Sequence, residues 1–328
     1  MKIAIISVTE PGKKISDNIY ESLINHPLIF EITQYHKNVI KTVENIFDKY
    51  DYIIGIMASG IMIRAIAPYV TSKLSDPAVI LIDDNANFVI SLLSGHFGGA
   101  NEFTTKISEI LGSTAVITTS TDVNNKTGID SIAKRYYCSL ENPRNIKYIN
   151  RALIDNNSVD LFVPTNYYSI FDNEIFDSYN IIVDDNINYI RAVFDNHDVI
   201  LKPKTLVMGI GARRDIAESK VEYAIKEACN ILEVPFSRID YCATASVKSN
   251  EKGILNIMKK FEKTLKIVSM EDIESFDNDE CSKSDFVMKQ FGVRGVCEPC
   301  CLLANGPNSH LLFKKTAYNG VTIAVSVK

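Results

Sequence analysis

The sequence predicts an α/β protein: N-terminal and C-terminal α/β domains with mostly parallel or mixed sheets, joined by a small α+β middle module. Three observations lead there. The first half alternates strand-like and helix-like segments, the pattern of a mostly parallel sheet covered by helices. Residues 136–204 are dense in Asn and Asp with shorter elements, and the α/β alternation restarts after them. The length, 328 residues, is long for one domain and comfortable for two or three. The expected divisions are 1–135, 136–204 and 205–328.

Residues 2–8 read as a buried strand, 15–23 as a helix, 29–34 as a strand, 39–47 as a helix and 52–57 as a strand. A helical stretch at 61–67 is stopped by Pro68. Residues 78–82 and 87–92 read as a hairpin around Asp83-Asp84-Asn85-Ala86. Phe103, Ile107, Ile110 and Leu111 then recur at helical spacing after Gly99, and 115–118 is one more strand. In the last third, 205–211 is a strand running into glycines. Residues 218–232 form an amphipathic helix, 239–243 a strand, 250–261 a helix and 265–269 a strand. Short helices are expected at 284–291 and from Pro299 to 304, then a hairpin turning at Asn319-Gly320.

Composition narrows function. With 46% hydrophobic and 23% charged residues, the chain reads as an ordinary globular protein. A net charge of −5 argues against nucleic acid as a partner, because phosphate contacts need a basic face. No apolar run approaches the roughly 20 residues that span a bilayer, and Glu10 follows the first strand too soon for a secretory signal. A cytoplasmic protein with no membrane partner is expected. Seven cysteines, an odd number, fit a reducing compartment. Cys297-Glu298-Pro299-Cys300-Cys301 has a CxxC spacing but no second ligand pair, so it reads as buried small side chains rather than a metal site.

The segment with most chemistry is Ser91 to Asn101, where His96 stands among Gly95, Gly98 and Gly99 at a strand-to-helix junction. Exposed N–H groups there favour an anion or a developing oxyanion, and an imidazole titrates near neutral pH. The alternative is that these glycines let the backbone approach another element closely. Gly60 and Gly98 are both expected at the carboxyl edge of the sheet, where such folds place ligands. Arg64, one turn beyond Gly60, either clamps a ligand carboxylate or pairs with Asp76 or Asp83. Asp122 either serves His96 as orienter, acts as a base, or caps a helix. Gly209-Ile210-Gly211-Ala212-Arg213-Arg214 begins like a dinucleotide fingerprint but has Arg214 in place of the third glycine. An anion cradle using Arg213 or Arg214 fits better than NAD. Lys248 with Glu251, read as an exposed pair, and Lys314 are either ligand contacts or surface charges.

Together these segments resemble the CbiG family of cobalamin-biosynthesis proteins. The similar text is Met57-Ala58-Ser59-Gly60-Ile61-Met62-Ile63-Arg64-Ala65-Ile66-Ala67-Pro68, Lys73, Asp76-Pro77-Ala78-Val79, Ser91 to Asn101, and Val116 to Asp122. In the last third it is Gly209 to Arg214 with Lys248, Glu251, Ser284, Gly292, Glu298 and Lys314, a domain also similar to the stand-alone protein CobE. Departures are Pro299-Cys300-Cys301, where the family usually has small residues, and Ser120, where alanine is frequent.

The resemblance implies hydrolysis of the δ-lactone of cobalt-precorrin-5A, with loss of C20 and its methyl group as acetaldehyde. It implies a cobalt-corrinoid ligand in an inter-domain cleft, with the cobalt carried by the substrate and neither a protein-bound metal nor a cofactor. Fitted to that chemistry, His96 deprotonates water or the freed C20 hydroxyl, Asp122 orients it, and the N–H groups of Gly98 and Gly99 hold the oxyanion. Ser59, Gly60, Arg64, Ser94, Asn101, Gly211, Arg213, Arg214, Lys248, Glu251 and Glu298 are the expected substrate contacts. A non-catalytic carrier of the same corrinoid is the second reading, with handover to other pathway enzymes and a homodimer as protein contacts to test.

Overall fold

Ile3, Ala4, Ile5 and Ile6 are all fully buried in β1 (Lys2–Ser7), because both faces of that strand are covered. The computed structural model describes residues 1–282 and 295–328. β1 shares a six-stranded sheet with β2 (Glu31–His36), β3 (Tyr52–Ile56), β4 (Ala78–Ile82), β5 (Phe88–Leu93) and β6 (Thr114–Val116), in the order β2-β1-β3-β4-β5-β6. Helices α1 (Glu10–Leu23), α2 (Val39–Ile46), α3 (Ser59–Ile66) and α4 (Ala100–Leu111) connect them. Side chains alternate across the sheet. Ile3 and Ile5 pack with Ile19 of α1 and Phe103 and Ile107 of α4, while Ala4 and Ile6 pack with Val43 of α2 and Met62 of α3.

Strands β1 to β4 run parallel, but β5 is antiparallel to β4 and β6 is parallel to β5. Leu93 at the end of β5 therefore pairs with Val79, near the start of β4. The segment after β5 emerges at the amino edge of the parallel strands, and the segment after β6 emerges beside it. Gly60 lies at the other edge, just after β3. The expectation that Gly60 and Gly98 share the carboxyl edge fails for this reason.

Helix α1 starts at Glu10, five residues before the apolar pattern suggests, because Thr9 caps it: Thr9 Oγ1 accepts from Gly12 N–H at 3.0 Å and donates to Asp84 at 2.9 Å. Thr9→Ala should cost about 1–2 kcal/mol, read as a lower urea midpoint at unchanged slope.

The middle of the chain forms α5 (Ser120–Val123), α6 (Ile129–Arg135), β7 (Cys138–Glu141), α7 (Ile146–Ile154), β8 (Asp160–Val163), α8 (Thr165–Tyr168) and α9 (Asn173–Ser178). β9 (Asn180–Val183), β10 (Ile190–Phe194) and β11 (His197–Pro203) complete a second sheet, ordered β7-β11-β10-β8-β9. Its core holds Ile149, Leu161 and Val199 together with Ile129, Ile132 and Ala133 of α6. Leu74 and Phe97, from loops of the first sheet, also pack there. Met1–Lys202 thus forms one compact unit with two sheets, and Pro203–Lys328 forms another.

The second unit comprises β12 (Leu206–Ala212), α10 (Glu218–Leu232), β13 (Tyr241–Ala245), α11 (Lys252–Lys260), β14 (Leu265–Val268) and α12 (Met270–Ser275). It ends with α13 (Cys297–Asn305), β15 (His310–Tyr318) and β16 (Val321–Val327). The sheet order is β14-β13-β12-β16-β15, with β12 to β14 parallel and β16 antiparallel to both neighbours. Asn319 and Gly320 both take positive φ in the β15–β16 turn, as an Asn-Gly hairpin requires. The helix read at 284–291, with Ser284 and Gly292, lies outside the described residues. Among the described residues no helix is long and apolar enough to cross a membrane.

Candidate active site

Because β5 and β6 run in the same direction, the segments that follow them meet at one edge of the sheet, and His96 meets Asp122 there. His96 Nε2 lies 2.6 Å from Asp122 Oδ2, and Thr121 Oγ1 lies 2.8 Å from the same nitrogen. Asn101, buried at the start of α4, donates to Asp122 Oδ2 at 3.2 Å and to Thr119 at 2.9 Å, while its own oxygen accepts from Ser91 at 2.6 Å. Asn101 thus orients the carboxylate. Among the described residues Asp122 Oδ1 accepts no hydrogen bond, and the side chain is 38% exposed. These groups border a cleft of about 270 Å³, lined also by Glu102, Lys126, Ser131 and Arg135.

The turn that presents His96 needs its glycines for geometry. Gly99 has φ +88° and caps α4, and a side chain on Gly98 would meet Ser94 Cβ at 2.5 Å. Gly99 is buried and its N–H donates to His96 C=O at 2.8 Å, so it has no donor left for an oxyanion. Gly98 is half-exposed, and its N–H has no partner among the described residues. Ser94 is buried in the same turn, with Oγ donating to Asp76 C=O at 3.1 Å.

A second carboxylate, which the sequence did not single out, faces His96 from the other side. Asp130 Oδ2, in the first turn of α6, lies 3.5 Å from His96 Nδ1, and Asp130 is only 1% exposed. Burial, the largest influence on the His96 ring, lowers its proton affinity. Hydrogen bonds to Asp122 and Asp130 and their two charges outweigh it and raise the pKa to about 9. His96 is therefore an imidazolium at neutral pH. An imidazolium has no lone pair with which to deprotonate water.

Ser59, Gly60 and Arg64 stand across the sheet, roughly 16 Å away for five residues of strand at about 3.3 Å each. Arg64 Nη1 donates to Gly60 C=O at 2.8 Å and pairs with neither Asp76 nor Asp83, which accept from Thr71 and Ser72 and from their own turn respectively. In the second unit, Arg213 and Arg214 are exposed, and Arg214 borders a hollow of about 490 Å³ with Ser246, Asn250 and Lys252. Gly211 is buried in β12. Lys248 and Glu251 are not an exposed pair: their side chains are 14% and 9% accessible, and Glu251 accepts from Ile216 N–H at 3.0 Å. Glu298 is buried and its carboxylate accepts from Ser282 N–H at 2.8 Å and Lys315 N–H at 2.9 Å. Both carboxylates brace the fold through backbone N–H groups. Cys297, Cys300 and Cys301 are buried in α13, and burial pushes the Cys297 thiol up to about 12.

Residues 41–122 match the family model described as cobalamin synthesis G N-terminal, and 206–326 match that described as cobalamin synthesis G C-terminus. A Methanocaldococcus jannaschii protein named "Probable cobalt-precorrin-5A hydrolase" is 33% identical over 344 residues, covering 100% of this chain and 99% of its own. The cobalt-precorrin-5A hydrolase of Salmonella typhimurium is 30% identical over 308 residues, 87% of this chain and 84% of its own. A crystal structure of a cobalamin biosynthesis protein G homologue from Sulfolobus solfataricus superposes with a TM-score of 0.59 at 28% identity, covering 99% of this chain and 97% of that one.

Proposed function

Because the chain belongs to the cobalamin synthesis G (CbiG) family, we propose that it opens the δ-lactone of cobalt-precorrin-5A and releases C20 with its methyl group as acetaldehyde, leaving cobalt-precorrin-5B. The observation that carries this reading is the His96–Asp122 pair at 2.6 Å, with one carboxylate oxygen free and the imidazole charged. Base and acid stand side by side, as ester hydrolysis requires.

Asp122 Oδ1 takes a proton from water as the water oxygen bonds to the lactone carbonyl carbon. The oxyanion so formed faces the His96 imidazolium and the Gly98 N–H. Protonation of Asp122 weakens its hold on the His96 Nε2 proton; collapse then breaks the bond between the acyl carbon and the C20 oxygen, and His96 gives that proton to the departing oxygen. The site now holds a protonated Asp122 and a neutral His96, which is the arrangement the second stage needs. His96 takes back the C20 hydroxyl proton, the carbon–carbon bond breaks to give acetaldehyde, and its electron pair passes to the cobalt-bearing macrocycle. Asp122 returns its proton to the ring carbon. One water is consumed, both groups are restored, and no cofactor enters the balance.

A 270 Å³ cleft lies below the roughly 300–1,000 Å³ that hold a whole drug-sized ligand, so it takes the lactone edge rather than the macrocycle. Arg135 is tied to Asp172 and Glu174, whereas Lys126 has no carboxylate partner among the described residues and is placed to hold the freed acetate. In the second unit, Arg213 and Arg214 are the carboxylate-binding candidates. The test is anaerobic incubation with cobalt-precorrin-5A, following acetaldehyde through NADH loss to alcohol dehydrogenase. Release over many turnovers is expected. Tight binding with no release would instead identify a carrier.

A further inference from the structure

We propose that Asp130 is a positioning residue of this reaction: from the first turn of α6 it holds Nδ1 of His96, so that Nε2 faces Asp122 and the ring keeps both protons. The proposal rests on the roles given to His96 and Asp122 above. A carboxylate is almost never buried unless paired, and Asp130 is 1% exposed. Its Oδ1 accepts from Asn150 Nδ2 at 2.8 Å, and Asn150 is itself fixed by the Ile129 N–H at 3.0 Å. Its Oδ2 lies 3.4 Å from Lys73 Nζ and 3.5 Å from His96 Nδ1. Lys73 comes from a loop closed by Asp76, which accepts from the N–H groups of Thr71 and Ser72 at 2.9 and 3.0 Å.

Charge counting points the same way. Asp122 and Asp130 supply two negative charges and Lys73 one positive, so the cluster is neutral only with His96 protonated. The other groups nearby are Glu102 on α4, Thr121 on α5, Ser131 and Arg135 on α6, Asn125 and Lys126 before α6, Glu174 on α9, and the buried Tyr179. Arg135 is neutralised by Asp172 and Glu174. Burial alone would raise the Asp130 pKa, but His96, Asn150 and Lys73 hold it well below the ordinary carboxylate range. α6 and α7 are built on the second sheet's core, so that core positions a catalytic group that the first sheet carries.

The test titrates the His96 ring by nitrogen-detected NMR in the substrate-free protein, assigned through His96→Gln. Asp130→Asn should lower the midpoint by about 1–3 pH units and Asp130→Glu should restore part of the shift. The falling limb of the pH–rate profile should move with it, which a merely structural role would not produce. A folded Asp130→Asn protein whose His96 titrates as in the wild type overturns the proposal. If that variant does not fold, Lys73→Gln, at an exposed side chain, should move the midpoint upward, and an unchanged midpoint overturns the proposal equally. A shifted midpoint in a protein that releases no acetaldehyde leaves the Asp130 role standing and rejects the hydrolase reading instead.

Discussion

His96→Gln is expected to lower acetaldehyde release roughly a thousandfold, within the ~10²–10⁴ that a positioned acid or base supplies. Glutamine retains a hydrogen-bonding tip but carries no acidic proton to give the departing C20 oxygen and no charge to face the oxyanion. Asp122→Asn should do comparable damage, because its amide cannot accept the water proton. The two losses should not add. Each group hands the other the protonation state it needs for the second stage, so the double variant should be little worse than either single one. Corrinoid binding should persist in all three, since neither group is assigned to grip the macrocycle. Circular dichroism and the NADH-coupled assay check both halves of this expectation.

Gly209→Ala is expected to destabilise the second unit by about 3 kcal/mol or more, through a collision rather than a lost contact. A Cβ at Gly209 would sit 1.9 Å from the Cys297 carbonyl oxygen and 3.1 Å from Cys301 Cβ. The nearest obstacle is backbone, so α13 must move away from β12, opening a core in which Cys297, Cys300 and Cys301 are buried. Ser326 Oγ donates to the Cys301 carbonyl at 2.8 Å, tying the same helix to β16, and that bond should loosen too. Urea unfolding and hydrogen exchange at α13 would report it. Gly209 is explained by this close approach and Gly211 by a different one, since a Cβ there would sit 2.5 Å from Thr322 Oγ1 of β16; packing thus accounts for both glycines of the dinucleotide-like text.

Much of this architecture can be read from residues alone. Unbroken apolar strands such as Ile3–Ile6 announce a sheet covered on both faces, and Asn319-Gly320 announces its hairpin. The relation between His96 and Asp122 is also legible once direction is followed. A hairpin at 78–92 reverses the chain, so the end of its second strand must lie opposite Gly60 and next to the end of the following parallel strand. Asp130 is harder to see. An acidic residue in a first helical turn is the commonest of dipole-complementing features, and only the burial of α6 against a second sheet turns it toward His96. Glu298 and Glu251 enter as substrate contacts through the family resemblance alone, and residue order gives no hint that burial commits both carboxylates to backbone N–H groups. Thr9 was legible as a cap before Glu10 and Pro11, although the apolar period begins later.

The most direct test of the account is the pH dependence of acetaldehyde release, corrected for spontaneous lactone opening at each pH. With His96 acting from its protonated form, the rate should be level from neutral pH and fall as pH rises through about 9, where the imidazolium loses its proton. A rate that climbs tenfold per pH unit through neutrality and levels off only near 9 would make His96 the initial base and contradict the mechanism.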